Sequence, residues 1–420
     1  MNIPKAIVQS RIAKTILLLI ATWLLFNCIF FLGTNPSQWI DTLFQWLMRI
    51  VWNNVGTTTA RDFLIFGFLT GVGGFLVYVP NIMLLFLFSH ILHDTGISPR
   101  VARFVSPIFR FFGLNGESFQ PMLFGFGCSV TAIHGAHYIQ SPKNRLVTML
   151  IAPFMSCGSK FGVYVLLISF VFTPRLAGTV MFALYLLGVF VAFISSFAFR
   201  AILRIGKETV FDEPEPTLLK KPDVLRIIKQ TMIDGWEFCK KAGSVIVVAA
   251  TIIWALSYWP GISQDKYKEL EAYAQQTNQP IPSRYTLSYH SSYAARIGQF
   301  LEPAFKPLGQ NWKNSIALVT SIAGRSTIIS TLLTLYGIDY APGSKDILTH
   351  ALSADPDFSK LAGFAMMIFV LLCGSCLASI MMFYHETKSY LYTALFILYP
   401  IIVAWTASSL FYTLGRVWIR

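Results

Sequence analysis

Long apolar runs decide what this chain can fold into. A helix needs about 20 predominantly apolar residues to cross about 30 Å of hydrocarbon, and 15–32, 64–92, 146–172, 176–203, 243–260, 315–336, 361–384 and 390–415 meet that test, giving about eight crossings. The expected fold class is all-α: a polytopic transmembrane helical bundle with broken or re-entrant segments, forming one transporter domain over 1–420. A composition of 55% hydrophobic against 13% charged residues agrees, because a typical soluble domain carries about 25% charged residues. Lys5, Arg11 and Lys14 precede the first run, but it is long enough to span and no small-x-small cleavage site follows it, so it reads as a membrane helix rather than a secretion signal. Gly71, Gly73, Gly74 and Pro80 interrupt the second run, which reads as one kinked helix or two shorter pieces. The 36 phenylalanines read as lipid-facing packing.

The net charge of +13 is spread over tails and connecting segments rather than gathered in one patch, so nucleic acid is not an expected partner; the lipid bilayer is. The basic N-terminal tail and the stretch from Arg200 to Lys241 are expected to be cytoplasmic. Arg416 and Arg420 put the C-terminus on the same side, consistent with an even number of crossings, although the acidic segment 337–360 runs against this scheme. Hydrophilic stretches at 206–234 and 260–314 read as connectors. No G-x-x-x-x-G-K-[ST] phosphate loop, H-E-x-x-H motif or acid/base pair occurs, so the chain does not read as an enzyme.

Three polar interruptions inside apolar sequence each carry a cysteine: GFGCSVTAI (125–133), PFMSCG (153–158) and CGSC (373–376). Non-helical backbone at membrane depth is tolerated only where it is buried in protein or lines a cavity, so these breaks are expected to converge. Soft thiolates suit late transition metals, and a borderline ion such as Fe(II) accepts sulfur together with hydroxyl, imidazole or carbonyl donors. Cys128, Cys157 and Cys376 are the expected metal-path thiols, with Ser129, Met155, His134 and Ser326 beside them. Cys28 and Cys239 read as small buried hydrophobes, and His90, His93 and Asp94 as a solvated helix end. Lys160 and Arg325, ionisable within spanning segments, read either as functional groups or as structural ion pairs or snorkelling side chains.

An internal echo accompanies these breaks. An offset of 248 residues lays Cys128 on Cys376, His137 on His385 and Ser141 on Ser389, and TGVGG (70–74) matches TSIAG (320–324) at nearly the same offset, as a duplicated transporter core would leave behind.

Together these motifs resemble the membrane region of the ferrous iron transport protein B family. GFGCSVTAI resembles its first Gate motif and PFMSCG the continuation; LEPAFKPLG (301–309), FCKKAG (238–243), TLYG (334–337), HET (385–387) and LGR (414–416) also match, from about Arg61 to the end of the chain. The resemblance implies a first Gate half over 61–203, a cytoplasmic connector over 204–242 and a second half over 243–420. It implies Fe(II) uptake across a bacterial inner membrane, with Fe(II) as transported substrate, no permanently bound cofactor, and Cys128, Cys157 and Cys376 on the path. Carriers of nucleoside-like solutes in the wider Gate superfamily, or Mn(II) or Zn(II) as cargo, are the alternatives. This chain departs from the family at Ser129 (Asn there), Thr131 (Pro), His137 (Arg), Ser375 (Pro) and Arg325-Ser326 (Lys-Glu). The family's N-terminal GTP-binding domain has no counterpart ahead of Thr15, so a separate G protein and a small FeoA-like protein are expected in trans, unless the membrane unit works without them; a homo-oligomer is compatible with either.

Overall fold

Within hydrocarbon a chain must satisfy its own backbone N–H and C=O groups, and helices do so locally. The computed structural model describes residues 11–56, 59–203, 220–261, 292–325, 327–338 and 344–418, and among these the regular structure is helical throughout. In chain order the α-helices are α1 (Arg11–Asn54), α2 (Thr59–Asp62), α3 (Thr70–Leu76), α4 (Val79–Asp94), α5 (Ile97–Phe111), α6 (Phe119–Gly125), α7 (Ser129–Gly135), α8 (Pro142–Ile151) and α9 (Gly158–Val171). They continue as α10 (Ala177–Ile202), α11 (Val224–Tyr258), α12 (Tyr293–Phe305), α13 (Trp312–Thr320), α14 (Thr327–Leu335), α15 (Ser344–Ala354), α16 (Lys360–Leu372), α17 (Leu377–Thr387) and α18 (Tyr390–Trp418).

Seven segments among the described residues are long and apolar enough to cross a membrane: Thr15–Asn54, Thr59–Asp94, Pro142–Val171, Ala177–Ile202, Val224–Tyr258, Lys360–Thr387 and Tyr390–Val417. Seven of the eight expected runs lie in them. The eighth, 315–336, does not cross; α13 and α14 fold back on one another, with Thr320 Oγ1 3.1 Å from Thr331 Oγ1 and Thr327 Oγ1 donating to Thr320 O at 2.9 Å. Length and hydropathy cannot tell such a hairpin from a span. An odd number of crossings, such as these seven among the described residues, would place the start of α1 and the end of α18 at opposite ends of the bundle rather than on one face. Leu18 lies with Ile97 at one end, while Gly415 packs on Leu361 at the other.

The interrupted run at 64–92 is resolved by a π-helical turn, Phe63–Leu69, where Thr70 N and Thr70 Oγ1 both reach Ile65 O, followed by a short break before α4, which has Pro80 in its first turn. The connector expected over 204–242 is shorter, because α11 begins at Val224 with Asp223 as its N-cap; residues 204–219 and 262–291 lie outside the described set.

The core of the fold is two hairpins and two broken spans. The first hairpin, α6–α7, starts and ends at the end of the bundle where the connector joins; the second, α13–α14, opens at the other end, beside Gln310, which donates to Ala362 O at 2.9 Å. Each hairpin tip meets the break of a spanning pair. In α8–α9 the break covers 152–157, and Gly158 N donates to Gly127 O in the first tip at 3.1 Å. In α16–α17 it covers 373–376, and Leu377 N donates to Ile322 O in the second tip at 2.8 Å. These matching bonds define an inverted pair of hairpin-plus-broken-helix units. They equate Cys157 with Cys376, so the 248-residue echo, which laid Cys128 on Cys376, superposes a hairpin tip on a broken span and is not the structural repeat.

Polar caps fix where these pieces start: Ser141 on α8, Asn311 on α13 and Ser359 on α16 each accept a backbone N–H from the first turn. Gly337, at φ 73°, closes the second hairpin while Ile338 N reaches back to Leu333 O. The phenylalanines serve two purposes, not one: Phe182 and Phe190 are exposed on α10, whereas Phe124, Phe154, Phe199, Phe383 and Phe396 are fully buried.

With no hydrophobic drive between helices in lipid, close approach of small residues holds the breaks together. A Cβ on Gly374 would stand 2.1 Å from Pro153 O. Gly374→Ala is therefore expected to force the two broken spans apart and cost about 1–3 kcal/mol, read as a lower unfolding temperature in detergent. Gly178→Ala, where no atom lies within 4 Å of the added Cβ, is the control expected to stay near wild type.

Candidate functional site

The four breaks meet at the centre, and three present a cysteine as an N-cap residue: Cys128 for α7, Cys157 for α9 and Cys376 for α17. All three have extended backbone and all six cysteines of the chain are free thiols. Cys157 and Cys376 both lie within electrostatic reach of Cys128, and Cys128 and Cys376 pack on one small cluster with Val130 and Ala378. The Cys157 thiol is 3.1 Å from Ser159 Oγ and that of Cys376 3.5 Å from Ser379 Oγ. Ser129 is buried at the head of α7 with its hydroxyl unpartnered, and Met155 is buried against Gly125. The sequence thus located the thiols, Ser129 and Met155 together; Ser326 lies outside the described residues. Cys239, expected to be an inert buried thiol, is only partly buried and packs against the same cluster as Cys128 and Cys376.

Among the described residues Lys160 and Arg325 pair with no acid, and neither snorkels, since both are buried. Lys160, 0% exposed, donates from Nζ to Leu371 O at 2.7 Å, capping the carbonyl end of α16. Arg325, 2% exposed, donates to Ser321 Oγ and to Ser375 O, both at 2.9 Å, and lies 3.9 Å from Cys373 Sγ. Each cation thus satisfies carbonyls that the break in α16–α17 leaves without a helical partner. Arg325 Nε remains buried without a partner.

These features make the centre electropositive. Three helix N-termini and two buried cations face it, and a divalent cation can pass only if negative charge is supplied there. A thiol is a group able to supply it, since binding a metal ion releases its proton and leaves a thiolate.

His134 does not lie among the thiols. It sits at the far end of α7, its Nε2 3.3 Å from Asp234 Oδ2, and shares that oxygen with His90 Nε2 at 2.8 Å. His90 is therefore not part of a solvated helix end: it is buried. Asp94 does keep a capping role, accepting from Asp223 N at 3.1 Å. Asp234 and Glu386 escaped the sequence reading. Asp234 stands on the amphipathic first turns of α11, ahead of the apolar run that marked the span.

Comparison with known proteins bears on this arrangement. The family model described as "Gate: Nucleoside recognition" matches residues 75–171 and 239–390, covering both hairpins and both broken spans. The chain belongs to the Gate family. This Gate chain is 30% identical to a Fe(2+) transport protein A/Fe(2+) transporter FeoB fusion protein of Porphyromonas gingivalis, over 97% of the chain and 51% of that protein. It is 30% identical to the Fe(2+) transporter FeoB of Staphylococcus aureus over 100% of the chain and 59% of the relative, and 32% identical to that of Campylobacter jejuni over 90% and 59%. The Gate chain thus spans between half and three fifths of the length of these relatives. No solved structure matches it.

The capping role of Lys160 is testable. Lys160→Met orphans the Leu371 carbonyl in the interior, at a cost of about 1–3 kcal/mol, and is expected to lower the unfolding temperature. Lys160→Arg, which keeps donors, should recover part of the loss; equal stability of all three proteins would contradict the role.

Proposed function

We propose that this Gate chain carries Fe(II) through the bacterial inner membrane, by a route that passes Cys128, Cys157 and Cys376. The observation that carries the reading is the placement of three free thiols at three adjoining breaks, in a chain similar along its whole length to Fe(2+) transporters. The ion sheds water, exchanges into thiolate, hydroxyl and carbonyl ligands around Ser129 and Met155, and leaves because no position offers a complete set of strong ligands.

The connector end is cytoplasmic in this reading, since Arg100, Arg103, Arg110, Lys143, Arg145, Lys220 and Lys221 cluster there. The start of α1 is then cytoplasmic and the end of α18 external. The fused relative motivates a small FeoA-like protein as partner, and a G protein acting in trans would be the energy source. A nucleoside-like solute is the second reading, favoured by the matched family's description.

Reconstituted in liposomes under anaerobic conditions, the chain is expected to admit Fe(II), with Cys128→Ser, Cys157→Ser and Cys376→Ser each slowing entry by about tenfold or more at equal incorporation. Wild-type rates in all three would sink the thiol route. Nucleoside entry that ignores Fe(II) would favour the second reading, and flux seen only after addition of a G protein would assign the energy source to that partner.

A further inference from the structure

The short helices α7 and α17 each begin at a thiol and end at the connector side, where a second set of metal-ligating groups converges. His90 and His134 both place Nε2 on Asp234 Oδ2, at 2.8 and 3.3 Å. Glu386 lies 3.9 Å from His134 Nδ1 and 3.7 Å from His137 Nδ1. Among the described residues no Lys or Arg pairs with either carboxylate. The groups come from α4, α7, α11 and α17, so tertiary packing alone brings them together, about 9 Å along α7 from Cys128.

We propose that His90, His134, Asp234 and Glu386 form a second divalent-metal site at the connector-side mouth, distinct from the thiols. Two carboxylates between neutral imidazoles suit a first-row divalent ion. The field also favours a cation: α4, α7 and α17 all turn their carbonyl ends toward this cluster, whereas α7 and α17 point their N–H ends at the thiols. Donors about 2.1 Å from an ion in octahedral array stand about 3 Å apart, close to the spacings of His90, His134 and Asp234. The donors now face one another, without three of them arranged around a common point; closing the set requires His134 and Glu386 to rotate about their side-chain torsions.

The outer support of the site is also present. Tyr138 OH lies 3.0 Å from His90 Nδ1, and Gln230 Nε2 donates to Asp234 Oδ1 at 3.0 Å. Without metal, Tyr138 donates to Nδ1 and His90 donates from Nε2 to Asp234. With metal on Nε2, the proton would reside on Nδ1 and the Tyr138 hydroxyl oxygen would accept a hydrogen bond from it. The hydroxyl supports either tautomer, as a second partner of a ligating imidazole should.

The site stands on its own geometry; its place as the station that receives ions from the thiols rests on the Fe(II) reading. Co(II) titration of the full chain in detergent separates the two, because it needs no flux. With Cys128, Cys157 and Cys376 all replaced by serine, about one equivalent of Co(II) is expected to bind, with weak visible bands and no thiolate charge-transfer absorption. Adding Asp234→Asn or Glu386→Gln should weaken that binding about tenfold or more. No binding by the triple-serine protein at wild-type unfolding temperature, or binding indifferent to both carboxylate variants, would overturn the site. Should the triple-serine protein not fold, the carboxylate variants in the otherwise unaltered chain decide: loss of the non-thiolate bands supports the site, and their persistence overturns it. Co(II) binding without any Fe(II) entry would keep the site and remove its transport role.

Discussion

Two backbone hydrogen bonds hold the centre of this protein open to chemistry. A helix broken inside hydrocarbon leaves N–H and C=O groups that no water can satisfy, each costly if orphaned. Gly158 N to Gly127 O and Leu377 N to Ile322 O resolve the donor side by joining each broken span to a hairpin tip. Lys160 and Arg325 resolve the acceptor side by donating to Leu371 O and Ser375 O. Non-helical backbone, with thiols at its corners, can then persist at the middle of the bundle. Gly374 lies where Pro153 O would meet a side chain, so the two breaks share one volume.

The same solution imposes an electrostatic condition. Closing the breaks with cations and helix N-termini leaves positive potential where a cation is to pass. A neutral thiol offsets none of it, but a thiol that loses its proton to an arriving metal does. On the proposed Fe(II) route, cysteine rather than serine at the N-cap positions would let the arriving ion create the compensating charge, which a serine hydroxyl would not do.

How much of this was legible in the sequence follows from what each signal measures. Apolar run length reports burial in lipid, so the seven spans and the helical class were readable, and so was the interruption of apolar sequence by Gly, Pro and Cys at 125–128, 153–158 and 373–376. Run length does not report direction. The turn from Ser321 to Arg325 sends 315–336 back the way it came, which changes the number of candidate crossings among the described residues. The 248-residue echo matched residue types, whereas the repeat conserves backbone roles: Gly127 and Ile322 share a role without sharing a side chain. Asp234 and His90 were missed as partners because their meeting depends on α11 packing against α4, a contact between residues 144 apart.

The two halves share an arrangement of backbone but not of side chains, and the difference sits where function would need it. The first hairpin opens beside imidazoles and carboxylates: His134 and His137 flank Glu386, and His90 meets Asp234. The second, whose tip joins Thr320 to Thr331, opens beside a phenol and a carboxylate: Tyr336 OH donates to Asp355 at 2.5 Å. A symmetric scaffold with like mouths would favour neither direction of passage. Here the backbone constraint, which is the same for both hairpins, supplies the symmetry, and the side chains at the two mouths, imidazoles with carboxylates at one and a phenol with a carboxylate at the other, break it.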